Sequence, residues 1–265
     1  MYKCIICNNN QYNKFYSSYL YCTECFHIQK KNLKNKELVQ KQLQYNQNPY
    51  KQFILNRIRT INSDTYKILN LSDTNTVLLD EIYEVLLKKT SKYNIETVSV
   101  STLFNPSFFS KHKHHKFTLS EYTTDIIKNT YGNFDIIILN DSLNYDNNPQ
   151  TILKCCEQLS HNNTVLFSIN LHTRIFSSIK LFRIDNDINS IFNTNSMKQL
   201  CYNSNMQLCN SVSIDEWNLF TIKYGKEVLI TQNIIDTLYD EIITNTYCTS
   251  LYYILSNYWL NTYIK

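Results

Sequence analysis

Four cysteines near the start of the chain have a spacing that suits metal binding. They form two C-x-x-C pairs separated by fourteen residues: Cys4 and Cys7, then Cys22 and Cys25. A tight turn within each pair aims both sulfurs at one centre, and two pairs complete a tetrahedron of thiolates around Zn²⁺. Four thiolates leave no open coordination position, so the predicted zinc site is structural and not catalytic. Metal binding would then supply most of the folding energy of this module, on the order of 10 kcal/mol.

A cluster of three histidines and one separate histidine are further candidate metal ligands. His112, His114 and His115 lie in the segment 103–118, where no cysteine or acidic residue stands beside them. We interpret this segment as an exposed loop. His27 follows the second cysteine pair, but four cysteines already complete a zinc site.

Polar side chains follow a buried strand in the middle of the chain. Residues 134–139 read Phe-Asp-Ile-Ile-Ile-Leu, a short apolar run rich in β-branched residues, which is typical of a strand covered on both faces. Asn140, Asp141 and Ser142 come directly after it. Ligands of parallel sheets bind outside the carboxyl ends of the strands, so these residues form the first candidate site. At an ordinary strand end they would only shape a turn.

The surrounding elements predict an α/β fold with a mostly parallel sheet. A helix over 149–159 separates the first strand from a second buried strand over 163–169, which gives a strand, crossover helix, strand unit. Further strands are predicted over 66–72, 96–101, 207–214 and 217–224. Further helices are predicted over 76–89, over 119–131 with a stop at Gly132, over 174–182, and from Asn193 onward with Thr194 or Asn195 as cap.

Length and cysteine usage fit one large domain with a small appendage. A chain of 265 residues can bury a sizeable core, and it has no run of about eighteen apolar residues that would predict a membrane span. The start of the chain lacks the apolar segment of a signal peptide, so we expect a cytoplasmic protein whose cysteines bind metal or pack. We expect a zinc ribbon at 1–29, linker helices at 30–62, the α/β domain at 63–225 and a helical tail at 226–265.

Charge is unevenly distributed along the chain. Residues 1–60 carry ten basic and two acidic side chains, a net charge of +8. The remaining residues carry sixteen basic and twenty acidic side chains, a net charge of −4. A basic region can indicate a nucleic-acid partner. We instead interpret the lysine-rich run at 30–36 as solvated surface, because it lacks interleaved aromatic residues, and we rank nucleic-acid binding last.

A four-cysteine ribbon, a linker and this sheet together resemble the class I S-adenosylmethionine-dependent methyltransferases, and among them those that act on nucleotide-linked sugars. The resemblance covers nearly all of residues 1–225. Residues 134–142, the helix after Pro149 and residues 166–169 match the fourth and fifth strands of that Rossmann-like fold. Residues 192–197, Phe-Asn-Thr-Asn-Ser-Met, resemble a block near the family's substrate pocket.

The resemblance implies both a cofactor site and catalytic candidates. The implied cofactor-binding residues lie at the strand ends: Asn70, Ser72, Asp73, Asn75, Ser99, Ser101, Asn140, Asp141 and Ser142. The family's glycine-rich turn is replaced at 70–76 by a stretch without glycine, and Ser101 stands at the strand end that usually carries an acid. Asp187 lies where the family often has a Glu-His pair, and Ile188 replaces the imidazole. Tyr145 and His172 are further candidates for an acid or base.

We therefore expect methyl transfer to a small acceptor, a nucleotide-linked sugar in glycan biosynthesis, by in-line attack on the sulfonium methyl with help from a general base. The missing glycines and imidazole favour one alternative, a catalytically inactive methyltransferase fold that serves as a binding or scaffold subunit. Under either hypothesis, the chain can form a homodimer or hold a partner chain through the aromatic tail. The aromatic side chains of that tail are Tyr239, Tyr247, Tyr252, Tyr253, Tyr258, Trp259 and Tyr263.

Overall fold

The computed structural model describes residues 2–16, 19–31, 54–55, 65–71, 79, 82–84, 94–101, 113–116, 120–140, 142–171, 188–214 and 217–225. Residues Met1–Lys226 belong to one compact unit and Glu227–Lys265 to a second. Most of the predicted linker, the predicted helix over 174–182 and the aromatic tail lie outside the described residues.

The described residues contain eleven strands. In chain order they are β1 (Tyr12–Tyr16), β2 (Tyr19–Cys22), β3 (Ile28–Lys30), β4 (Thr65–Leu71), β5 (Asn94–Ser101), β6 (Lys113–Lys116), β7 (Phe134–Asn140), β8 (Ser160–Leu171), β9 (Ser190–Ile191), β10 (Met206–Ile214) and β11 (Trp217–Tyr224). Four helices are described with both ends: α1 (Glu121–Tyr131), α2 (Ser142–Tyr145), α3 (Pro149–Gln158) and α4 (Thr194–Asn203). Residues 54–55, 79 and 82–84 are also helical.

Seven of these strands form one large sheet in the order β10-β11-β8-β7-β4-β5-β6. The β7–β8 pair is parallel, with Ile137 opposite Leu166, which confirms the predicted crossover unit. The pairs β4–β5, β5–β6 and β4–β7 are parallel as well, whereas β11 runs antiparallel to both β8 and β10. The fold is thus the α/β type that the sequence predicts, with a mixed, mostly parallel sheet.

A second sheet of four short strands has the order β1-β2-β3-β9, and all its pairs are antiparallel. We call it the ribbon sheet. Its first three strands come from the cysteine-bearing segment, but its fourth strand, β9, comes from residues 190–191. The cysteine-bearing strands are therefore hydrogen-bonded through their backbone to a segment that comes after β4 to β8 in the chain.

Apolar side chains cover both faces of the large sheet, as the unbroken isoleucine run of β7 predicts. One face packs on α1, α3 and α4 through Leu69, Leu71, Ile127, Ile137, Leu139, Leu153, Cys156 and Leu200. The other packs on helical residues 54–55, 79 and 82 through Ile68, Ile136, Ile138 and Phe167. Full burial of each such side chain contributes about 1.5–3 kcal/mol.

Two local predictions are wrong. The segment expected to be a histidine-bearing loop contains β6, a four-residue edge strand that pairs with β5. The cap of α4 is Asn193 and not Thr194 or Asn195, because the Asn193 side chain accepts from the Ser196 amide while the Ser196 hydroxyl accepts from the Asn193 amide. The predicted helix stop at Gly132 is confirmed, with a φ of +74°. In the described part of the chain, every helix is too short or too polar to cross a membrane.

Candidate functional site

The four predicted zinc ligands converge on one point. The Sγ atoms of Cys4 and Cys25 lie 3.6 Å apart, those of Cys7 and Cys22 lie 3.5 Å apart, and all four lie within 4.8 Å of one another. A tetrahedral zinc ion with bonds of about 2.3 Å needs sulfurs about 3.8 Å apart. The donor set and its spacing therefore fit Zn²⁺, as the two C-x-x-C pairs predict.

The two cysteine turns are built alike. The amide of Asn8 donates to the carbonyl of Cys4 over 2.9 Å, and the amide of Phe26 donates to the carbonyl of Cys22 over 3.0 Å. Asn8 and Phe26 both adopt left-handed backbone conformations, with φ of 62° and 60°. Asparagine tolerates this conformation, but for a bulky residue such as phenylalanine it is a strained one. Each turn aims two sulfurs into the space between the pairs.

The four thiols of this cluster lie so close together that each affects the ionisation of its neighbours. A hydrogen bond with Cys25, together with nearby His27, lowers the pKa of Cys4 to about 2. Burial raises the pKa of Cys7 to about 11, and the bond to Cys4 raises the pKa of Cys25. One thiolate thus opposes the next, since like charges lie close together. A divalent cation would remove this conflict and let all four thiols ionise.

The four-cysteine cluster is anchored to the α/β core. The Nδ2 atom of Asn203, at the end of α4, donates to the carbonyl of Ile6 over 2.7 Å. The Nδ2 atom of Asn193, the cap of α4, donates to the carbonyl of Phe26 over 2.8 Å. Each bond joins a helix of the large sheet to one of the cysteine turns. The four-cysteine cluster is therefore tied to the α/β core at both of its turns.

A ligand site is expected where the strand order of the large sheet reverses. From the central strand β4 the chain adds β5 and β6 on one side and then β7 and β8 on the other. Ligands of such doubly wound sheets bind outside the carboxyl ends of the strands at this switch point, between β4 and β7. We call the carboxyl ends of β4, β5 and β7, together with α2, the rim. Leu71 of β4 pairs with Leu139 of β7 there.

Helix α2 begins at the switch point. Its first residue, Ser142, is buried, and its hydroxyl donates to the carbonyl of Leu71 at the end of β4. This bond holds the segment that leaves β7 against the neighbouring strand. The sequence predicts a ligand-binding turn at 140–144 but not this short helix.

The structure brings five of the nine predicted cofactor residues to the rim. Asn70 and Ser99 lie opposite each other on β4 and β5, are fully buried, and share a hydrogen bond of 3.3 Å from Nδ2 to Oγ. Ser101 ends β5, Asn140 ends β7 and Ser142 begins α2. The remaining four predicted residues, Ser72, Asp73, Asn75 and Asp141, lie outside the described residues.

Among the catalytic candidates, Tyr145 is described and Asp187 and His172 are not. Tyr145 ends α2 and is buried, with 8% of its surface exposed. Ile188, which stands where the resemblance leads one to expect an imidazole, is buried in the core at 1% exposure. Position 188 therefore serves packing and offers no base.

Sequence reasoning missed the hydrogen bonds that a set of buried amides makes beside the rim. Asn144 donates from Nδ2 to the carbonyl of Ser190 over 2.7 Å, and Asn189 donates from Nδ2 to the carbonyl of Tyr145 over 2.7 Å. At the end of β8, Asn170 donates to the hydroxyl of Ser168 over 2.6 Å. Asparagine is common throughout this chain, so its presence at these positions carried no signal.

The predicted histidine cluster is described only in part. His114 and His115 are neighbours on the edge strand β6, and His112 is outside these ranges. The group of metal-ligating side chains that the described geometry brings together is the set of four cysteines.

No protein-family model matches the sequence, and no curated protein matches it either. Similar solved structures include an S-adenosylmethionine-dependent methyltransferase from Clostridium acetobutylicum, 11% identical, with a TM-score of 0.49 over 69% of this chain and 93% of that one. They also include an O-methyltransferase family protein from Burkholderia thailandensis, 10% identical, with a TM-score of 0.47 over 69% of this chain and 58% of that one.

A third similar structure is CalO1, a methyltransferase in calicheamicin biosynthesis in its SAH-bound form, 10% identical, with a TM-score of 0.44 over 67% of this chain and 54% of that one. The chain thus spans little more than half the length of two of these proteins. Identities this low leave the activity of the chain to be argued from its own residues.

Proposed function

We propose that this protein binds S-adenosylmethionine at the rim and transfers its methyl group to a small acceptor. The observation that carries the proposal is the switch point between β4 and β7, where polar residues of three strands and α2 meet at one edge of a doubly wound sheet. A nucleoside ligand needs this kind of crevice, since its ribose and base require several hydrogen-bonding groups on rigid elements.

The rim residues divide into two roles in this proposal. Ser101 and Asn140, at the ends of β5 and β7, would contact the cofactor. Ser142 and Asn70 have hydrogen bonds within the protein and would hold the strand ends in position. The cofactor supplies an electrophilic methyl group, so the protein's task is to orient the acceptor and accept its proton. Tyr145, Asp187 and His172 are the proposed proton acceptors.

For the acceptor we propose a nucleotide-linked sugar in glycan biosynthesis, in the cytoplasm. Two features support this choice. The ribbon with four cysteines and the segment 192–197 are the parts of the sequence that resemble methyltransferases of this substrate class. Asn189, just before β9, is also hydrogen-bonded both to Lys30 of the ribbon sheet and to Asn144 of α2, the helix that begins at the proposed cofactor site. A homodimer or a partner chain would use the aromatic tail.

Isothermal titration with S-adenosylhomocysteine tests the cofactor site. Asn140→Ala should weaken binding about tenfold, the effect of one lost hydrogen bond to the ligand. The matched control is Asn163→Ala, which removes an exposed asparagine near the start of β8. This control should bind with unchanged affinity. Absence of heat at millimolar ligand in the unmodified chain would refute the cofactor assignment.

Transfer of a labelled methyl group from S-adenosylmethionine to a panel of nucleotide-linked sugars tests the acceptor. Label in a sugar product supports the full proposal. Label in another small molecule keeps methyl transfer and removes the sugar. Cofactor binding without transfer to any acceptor would instead favour the catalytically inactive binding or scaffold subunit.

A further inference from the structure

We propose that the metal centre and the ligand site are thermodynamically coupled, and that Asn189 is the positioning residue that joins them. This inference rests on the proposed function for the identity of the ligand. It is argued from hydrogen bonds that the described residues make on both sides of the segment 188–190.

On one side, the ribbon sheet holds this segment. The carbonyl of Asn189 accepts from the amide of Lys30 over 2.9 Å, and β3 pairs with β9 immediately after it. The hydroxyl of Tyr19, on β2, donates to the carbonyl of Ile188 over 3.0 Å. Two strands of the ribbon sheet therefore set the position of 188–190.

On the other side, the same segment holds α2. The amide of Asn189 donates to the carbonyl of Asn144 over 2.8 Å. Its Nδ2 atom donates to the carbonyl of Tyr145 over 2.7 Å and to Oδ1 of Asn147 over 2.8 Å. Asn144 returns a bond of 2.7 Å to the carbonyl of Ser190. Because Asn189 and Asn144 are buried, water cannot replace their bonds to the carbonyls of Tyr145 and Ser190 while the fold is intact.

The metal acts on this chain of contacts through the turn between β2 and β3. Cys22 ends β2, and Cys25 lies in the turn that leads to β3. The amide of Cys22 donates to the carbonyl of His27 over 2.9 Å, which sets the register of the two strands. Metal binding fixes this turn, and its loss frees β3, then 188–190, then α2 at the switch point. Linkage requires that ligand binding at the rim raises the affinity for the metal by the same factor as the metal raises the affinity for the ligand.

The first arm of the test measures the affinity of the full chain for S-adenosylhomocysteine by titration calorimetry, before and after a chelator removes zinc. Wild type should lose about tenfold in affinity, a typical coupling. The zinc-loaded Asn189→Ala variant should bind S-adenosylhomocysteine weakly, and zinc removal should change that affinity by less than about twofold. The matched control Asn203→Ala breaks a different bond to the ribbon, to Ile6, and should keep the tenfold response.

The second arm measures amide hydrogen exchange at residues 143–145 and needs no ligand. Zinc removal should speed exchange there in wild type and in Asn203→Ala, whereas Asn189→Ala should exchange fast with or without zinc. Asn144→Ala, which breaks the reciprocal bond, should behave like Asn189→Ala, and circular dichroism checks that both variants fold. Should either variant fail to fold, the wild-type response alone decides.

The outcomes separate the two proposals. No calorimetric signal in any form, with the exchange response intact, would remove the proposed cofactor and leave the coupling. Faster exchange at 19–30 on zinc removal, with 143–145 unchanged, would overturn the coupling. A full chain that retains no zinc would overturn it as well.

Discussion

The ribbon sheet and the large sheet are stabilised in different ways. Strands of the ribbon sheet are two to five residues long and surround four cysteines, whereas β8 of the large sheet runs for twelve residues through a core of isoleucine, leucine and phenylalanine. Such short strands bury too little apolar surface to fold without a further constraint. The comparison teaches that one region of this chain is built around a four-cysteine cluster that fits Zn²⁺ and the other around a buried apolar core, so that the two should respond to different perturbations.

The largest expected effect separates the regions by removing the metal. Cys22→Ser should lose bound zinc and with it metal-binding free energy on the order of 10 kcal/mol, while the large sheet keeps its secondary structure. Zinc content by mass spectrometry and circular dichroism measure the two results. The control Cys209→Ser alters a cysteine of β10 outside the four-cysteine cluster, whose thiol donates to the carbonyl of Gln207 over 3.7 Å, and it should retain zinc. Full zinc content in Cys22→Ser would contradict the four-thiolate site.

The converse change weakens the large sheet. Phe167→Ala opens a cavity at a fully buried position of β8 and should lower the free energy of unfolding by about 3–5 kcal/mol. Urea denaturation gives this value, and the folded fraction should keep its zinc. Ile126→Ala, on the exposed face of α1, should change stability by less than about 0.5 kcal/mol. Equal effects at the two positions would mean that burial does not govern this sheet.

Alkaline pH should destabilise the core of the large sheet through a buried thiol, Cys201. Burial raises the pKa of Cys201 above its usual value of 9.0, so above that pH the unfolded chain releases a proton that the folded chain keeps. The free energy of unfolding should therefore fall as pH rises above 9, by up to about 1.4 kcal/mol per pH unit for this thiol. Cys201→Ala should reduce the slope measured in urea between pH 8 and 10. An unchanged slope would contradict the assignment to Cys201.

The smallest expected effect compares two helix caps. Ser120→Ala removes the cap of α1 and should lower stability by about 1 kcal/mol without changing zinc retention. Asn193→Ala removes the cap of α4 and should lower stability by a similar amount. It also breaks the bond to the Phe26 carbonyl in the second cysteine turn. It should therefore release zinc faster to a chelator. Equal release rates for the two variants would show that this bond does not support the metal centre.

How much could be predicted from the sequence differs between the cysteine cluster, the central strands and the edge of the large sheet. The convergence of the four cysteines could be predicted completely, because they lie within 22 residues and one spacing rule governs them. The central strands could be predicted as well, since the isoleucine run of β7 admits few other structures. The edge strand β6 could not, because Lys-His-His-Lys has no alternation of apolar residues and becomes a strand only by pairing with β5.

The surroundings of the candidate ligand site were harder to predict. Strand β9 has two residues, Ser190 and Ile191, and no local pattern could indicate that they pair with Gln29 and Ile28. The role of Asn189 depends on this long-range pairing, so its sequence neighbours give no sign of it. The cap of α4 could not be chosen because Asn193, Thr194 and Asn195 all have side chains that can cap a helix.

Pairing of β3 with β9 also has a consequence for how the protein is made. Ile28 and Ile191 lie about 160 residues apart in the chain, so at typical ribosomal rates the first emerges roughly 10 to 30 s before its partner. During that interval the nascent ribbon can already take up its ion, yet one strand edge stays open to any other extended chain. Late arrival of residues 190–191 closes that edge, and translation speed over the intervening segment sets how long a newborn molecule is at risk of aggregation.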